Sequence, residues 1–139
     1  MTTQSPPFIW PLRVYWEDTD AGGVVYHASY VRFLERARTE WLRAAGIEQH
    51  KLREEHGVLF VVHGMELRFN RPARLDDQLD VSVRISQVRS ASFKVDQRVC
   101  RSVDEVVLVD AHVRIACLDA KSWKPHPMPE FLFQEIAKP

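Results

Sequence analysis

The chain has 139 residues, and its 19 Lys and Arg balance its 19 Asp and Glu, so the formal net charge is zero. That length is one domain able to bury about two thirds of its unfolded surface. The balance of charge argues against a nucleic-acid binder, which needs a basic excess to meet phosphates. No run approaches the roughly 18 apolar residues of a membrane span. The N-terminal MTTQSPPFIWP lacks the basic and apolar regions of a signal peptide. Cys100 and Cys117 fit no disulfide framework or CxxC spacing, so a reduced, cytoplasmic setting is expected.

After an N-terminal extension (1–9), Leu12, Val14 and Trp16 alternate with Arg13, Tyr15 and Glu17, the period of a half-buried strand. Glu17, Asp18 and Asp20 then place three carboxylates within four positions, and Gly22-Gly23 permits a sharp turn. From Ser29 to Ala45 the spacing predicts a helix. Tyr30, Phe33, Leu34, Ala37, Trp41 and Leu42 share one face, and Gly46 ends it with a left-handed cap. The other face, with Arg32, Glu35, Arg36, Arg38, Glu40 and Arg43, reads as solvated, with Arg36–Glu40 at pairing distance.

Residues 47–57 read as a polar connector with room for a helical turn. The segment 58–69 alternates weakly, with Leu59, Val61, Met65, Leu67 and Phe69 on one side and Phe60 and Val62 on the other. Pro72 and Asp76-Asp77 mark a turn. Leu79, Val81, Val83 and Ile85 point inward along the next strand, and Phe93, Val95 and Val99 along the one after Arg89-Ser90-Ala91. Asp104-Glu105 reads as a hairpin turn before a last long strand, 106–118. The tail 120–139, with Pro125, Pro127 and Pro129, is expected to leave the sheet and lie along the surface. The class is α+β: an antiparallel sheet of about five strands on one long helix, in a single domain over 1–139. Its other face should be wet, and edge pairing with a second copy would cover an open strand.

A carboxylate beside a glycine turn and a helix start can attack a carbonyl or draw a proton from water, while free N–H groups near His27 and Ala28 receive the developing oxyanion. No general acid for a poor leaving group is evident. A thiol, with an ordinary pKa near 8.5, leaves without one, so the arrangement suits a thioester.

RVYWEDTDAGGVVYHASYVRFLERARTEWL, with its D-x-D-x-x-G and Y-H-x-x-Y elements, resembles the hotdog-fold acyl-CoA thioesterases. Within them it is most similar to the YbgC branch of the 4-hydroxybenzoyl-CoA thioesterase family, and ARLDDQL extends the likeness across about residues 10–125. The resemblance implies a helix wrapped by a curved sheet, and a homodimer or a tetramer (dimer of dimers) with active sites between subunits. It implies hydrolysis of acyl-CoA, or of short-chain acyl-carrier-protein thioesters, without cofactor or metal. It makes Asp20 the catalytic carboxylate, as nucleophile or general base, and the backbone N–H of His27 the carbonyl-polarising donor. Gly22, Gly23, Tyr26 and Ala28 are candidates for lining the substrate, although Tyr26 and Tyr30 also fit packing roles. Arg89 and Ser92 stand where the related enzyme holds the nucleotide phosphates. Arg89 is the only cation there, which suggests shared contacts with Arg71 and Arg74 or an acyl group on a carrier protein.

Plainer readings stand beside these. Asp20 suits a turn or helix cap, Asp18 and Glu17 suit structural or solvated roles, and Arg68, Arg71 and Arg74 suit a solubilising loop. His50 and His56 do not form HExxH, His63 and His112 suit hydrogen-bonded positions within strands, and neither cysteine has a paired base. A non-catalytic acyl-binding protein with the same pocket, or a DxD-type metal-dependent phosphatase built on Asp18-Thr19-Asp20, are the rival functions.

Overall fold

The computed structural model of the chain describes residues 6–138. Strands β1 (Phe8–Arg13), β2 (Val58–Phe69), β3 (Gln78–Val88), β4 (Ser92–Arg101) and β5 (Val107–Asp119) form one antiparallel sheet in the order β1-β3-β4-β5-β2. Helix α1 (His27–Ala44) lies against one face, and shorter helices α2 (Gln49–His56) and α3 (Glu130–Ala137) complete the fold. The sheet wraps α1 as the resemblance implies. Leu79, Val81 and Val83, then Phe93, Val95 and Val99, then Val109, Ala111 and Val113 bury one side of the pleat with Phe33, Leu34 and Ala37. Lys94, Asp96 and Arg98 alternate outward and are exposed, so the far face is wet.

The first strand lies earlier than expected. It pairs Phe8 with Val83 and Leu12 with Leu79, so it begins inside the supposed N-terminal extension and ends at Arg13. The rest of that extension, residues 1–5, lies outside the described residues. Val14 is buried, but Trp16 is 79% exposed in a 3-10 turn over Trp16–Asp18. The Asp18 carboxylate accepts the Tyr15 N–H at 2.9 Å, a local bond that ends the alternation by competing with ladder pairing.

β2 also departs from a simple alternation. Its register against β5 shifts between Val62 and Gly64, so His63 is an inserted bulge residue. The inserted residue reverses parity: Phe60, opposite Cys117, shares the core side with Met65 and Leu67. Leu59 and Val61 therefore face the other way, against the single-sided reading.

Helix α1 starts two residues sooner than its apolar period suggests. At its end Gly46 adopts φ 83°, with Gly46 N–H donating to Arg43 O and Ile47 N–H to Leu42 O, a Schellman cap. Arg38, expected on the wet face, is buried and donates to Gln97 Oε1 at 3.0 Å. Glu40 pairs with Arg43 rather than Arg36. The connector forms the two turns of α2, with Leu52 buried.

The tail is the largest correction. Instead of leaving the sheet, the chain turns back on it: Pro125 bridges Leu118, His126 N–H donates to Cys117 O and Met128 N–H to Ser90 O. From there α3 places Leu132 and Ile136 in the core, so the segment covers apolar surface that α1 leaves open.

Candidate active site

Asp20 stands at the corner of a short hairpin between the 3-10 turn and α1. Thr19 bridges Val25, and Val24 bridges Arg74. Asp20 N–H donates to Val24 O at 2.9 Å, and Gly23 N–H to Asp20 O at 3.0 Å. Gly23 has φ 80°, a conformation open to glycine at little cost. The Gly22 N–H donates to Asp20 Oδ1 at 2.8 Å, an Asx turn that orients the carboxylate. Oδ2 has no partner among the described residues, and Asp20, Gly22 and Gly23 are all exposed.

The early start of α1 defines the other half of the site. Tyr26 is the N-cap and contributes no side-chain cap. Its carbonyl takes the Ser29 N–H at 2.8 Å, while the amides of His27 and Ala28, the first two helical residues, have no acceptor among the described residues. Open amides at this point are what a helix start provides for negative charge.

Asp18 ties the pieces together. Its side chain is buried and holds Tyr15 N–H, with Arg32 Nη2 at 3.8 Å. Its carbonyl accepts Tyr26 N–H at 2.9 Å and Ser29 Oγ at 3.1 Å, and Ser29 Oγ in turn accepts from Arg32 at 3.0 Å. The structural role expected of Asp18 is therefore found.

Aromatic rings surround the helix start. Tyr26 is half exposed, with its ring 4.4 Å from that of His27, and His27 faces Phe69 at 6.4 Å. Tyr30 packs on Phe33 and Phe69, and its hydroxyl accepts the Ala73 N–H at 3.0 Å; burial raises its pKa. Phe69 was legible only as an inward strand residue. Its 52% exposure beside His27 makes it a site residue that the alternation could not reveal.

The basic candidates separate. Arg74 lies beside the hairpin through its bridge to Val24, with Arg71 three residues before it. Arg89 and Ser92 form the β3–β4 turn, Arg89 N–H donating to Ser92 O at 2.8 Å. β3 has 11 residues, so that turn is about 33 Å from the Asp20 end of the same protomer at the rise of a strand. One chain alone does not bring Arg89 and Ser92 to Asp20.

The remaining titratable groups have other roles. Cys100 and Cys117 are free, and burial pushes the Cys117 thiol up to about 11. His112 Nδ1 lies 2.7 Å from Asp96, as expected of a strand resident, whereas the His63 side chain at the bulge has no partner among the described residues. The sheet is antiparallel throughout, unlike the α/β sheet that the DxD phosphatase reading called for.

An open carboxylate held by a glycine turn thus stands next in the chain to a helix whose first two amides have no acceptor among the described residues. The thioesterase-like superfamily matches residues 14–136, and the chain belongs to it. Among its relatives is the acyl-CoA thioester hydrolase YbgC of Escherichia coli O157:H7, 46% identical over 129 residues, which cover 93% of this chain and 95% of that one. The acyl-CoA thioesterase YbgC of Haemophilus influenzae is 45% identical over 88% of this chain and 89% of its own. The crystal structure of a probable thioesterase from Bartonella henselae superimposes with a TM-score of 0.84 at 39% identity, over 89% of this chain and all of that one. The hotdog architecture is thus the family's own.

Proposed function

We propose that this protein hydrolyses acyl-CoA thioesters to free CoA and a carboxylic acid, with Asp20 as the catalytic carboxylate. The observation that supports this most is that Asp20, with Oδ2 open, sits in the turn leading into α1, whose first amides, those of His27 and Ala28, have no acceptor among the described residues. The thioester oxygen, negative in the transition state, is received by the His27 amide. Asp20 either adds to the carbonyl carbon or takes the proton of the attacking water, and CoA leaves as a thiolate in both cases. Tyr26, Ala28, Gly22 and Gly23 line the acyl carbon's approach.

The reading includes a homodimer, with a dimer of dimers as its extension. Of the two sheet edges, β1 contains Pro11, which cannot donate to a partner strand, whereas the 12-residue β2 has no proline. Antiparallel pairing of two β2 strands sets the Val58 end of one protomer beside the Phe69 end of the other. That pairing moves the partner's Arg89 and Ser92 toward this chain's Asp20 and supports their assignment to the nucleotide. Arg71 and Arg74 serve the phosphates from the same chain. Short-chain acyl-CoA and acyl-carrier-protein thioesters are the proposed substrates, and the cytoplasm the proposed location.

Asp20→Asn is the decisive variant. It should lower thiol release by about 10²–10⁴-fold, with the sedimentation coefficient and acyl-CoA binding retained. Normal turnover by this variant rejects the assignment, and binding without turnover in the unaltered protein favours the non-catalytic acyl-binding alternative.

A further inference from the structure

Among the described residues, Arg38 is the one buried cation, and neither the fold nor the mechanism explains it. It is 7% exposed, yet its partner is a neutral amide: Nη1 donates to Gln97 Oε1, and Gln97 Nε2 donates to the Leu34 carbonyl at 3.1 Å. No carboxylate lies within ion-pair distance of it among the described residues. Its remaining N–H donors are not sealed in protein; they open on a cavity of about 140 Å³ between the second half of α1 and the first half of β2. Trp41, Phe60, Val62, Phe93 and Ile115 supply the apolar part of the walls, Thr39 and Gln49 add polar groups, and the exposed Glu35 lines the cavity as well. Burial lowers the Arg38 pKa, the Glu35 charge beyond ion-pair distance opposes that only in part, and an anion within hydrogen-bond reach would complete the balance.

The cavity lies on the flank of α1 that also presents His27. Eleven residues separate His27 from Arg38, about 16 Å along the helix axis, and Val31 is 39% exposed on the turns between them. β2 runs beside both ends, with Phe69 near His27 and Phe60 at the cavity.

We propose that this cavity receives the far end of an acyl group that ends in a carboxylate, with Arg38 as the residue that selects ω-carboxyacyl thioesters over methyl-ended ones. The proposal rests on the thioesterase reading but replaces its short acyl groups with a longer class, since about 16 Å of helix axis separates His27 from Arg38. A carboxylate reaching Arg38 gains charge-assisted hydrogen bonds, while the apolar side chains of the walls hold the methylenes. Glu35 opposes the same ligand, since it lines the same cavity.

The test compares kcat/KM for suberoyl-, sebacoyl- and dodecanedioyl-CoA with octanoyl-, decanoyl- and dodecanoyl-CoA, read as the ratio within each pair of equal length. The unaltered protein should favour the ω-carboxy member at one length by tenfold or more. Arg38→Met should cut that ratio at least tenfold, Arg38→Lys should keep part of it, and Glu35→Gln should raise it. A ratio near one in the unaltered protein, or a ratio that Arg38→Met leaves unchanged, overturns the proposal. If Arg38→Met converts a dimer to a monomer without changing the ratio, the guanidinium serves a second copy of the chain and the proposal is likewise overturned. Should Arg38→Met fail to fold, Glu35→Gln decides: a raised ratio supports the subsite and an unchanged one removes it. No turnover of any of the six thioesters by the unaltered protein would instead overturn the thioesterase reading itself.

Discussion

At the scale of single residues, Asp18 and Asp20 show how far spacing reaches. Two carboxylates one residue apart look alike in a sequence, and only the family resemblance ranked Asp20 first. The structure separates them by environment: Asp18 is buried and bonded to Tyr15 N–H, whereas Asp20 is exposed with one oxygen open. Asp18→Ala leaves that amide without its acceptor and should cost about 1–3 kcal/mol in urea unfolding. Asp18→Asn retains an acceptor and should cost less, because the half-exposed Arg32 at 3.8 Å is worth under about 1 kcal/mol. Cys117 sets a pH dependence. Its thiol is pushed from 9.0 to about 11 by burial, so the unfolded chain releases this proton at lower pH than the folded one. The stability it supports is whole below about pH 9 and is lost as pH rises toward 11, by up to ~3 kcal/mol. Unfolding of Cys117→Ala should show a shallower alkaline decline than the unaltered protein; an identical slope would place the loss elsewhere.

At the scale of elements, strong periodicity was enough for α1, β3, β4 and β5, because each buries one regular face against the others. Three features were not legible, each for its own reason. The 3-10 turn after β1 depends on one side-chain bond from Asp18, which overrides the alternation through Trp16. The His63 bulge is invisible to any fixed period. α3 was hidden by the prolines before it, which interrupt a strand but not a later helix with Leu132 and Ile136 four apart. Since Leu132 is fully buried, Leu132→Ala should lower stability by about 2–5 kcal/mol in thermal or urea melts. A loss below 0.5 kcal/mol, the range of surface substitutions, would mean that α3 is not docked.

For the molecule as a whole, the sheet leaves one long edge and one blunted by proline. Sedimentation equilibrium at micromolar concentration should therefore give twice the mass of the chain, and a monomer there would remove the shared-site geometry for Arg89 and Ser92. How subunits meet was accessible from the sequence only as an unpaired edge, because nothing in residue spacing encodes which edge is free. The strand at that edge also bears on how the gene can change in length. Its ladder runs unbroken on either side of His63, with Val62 opposite Ile115 and Gly64 opposite Arg114. Loss of the His63 codon would close the gap and leave every neighbour facing its present partner, whereas loss of a codon away from this bulge would rotate part of the strand and turn its apolar side chains toward water.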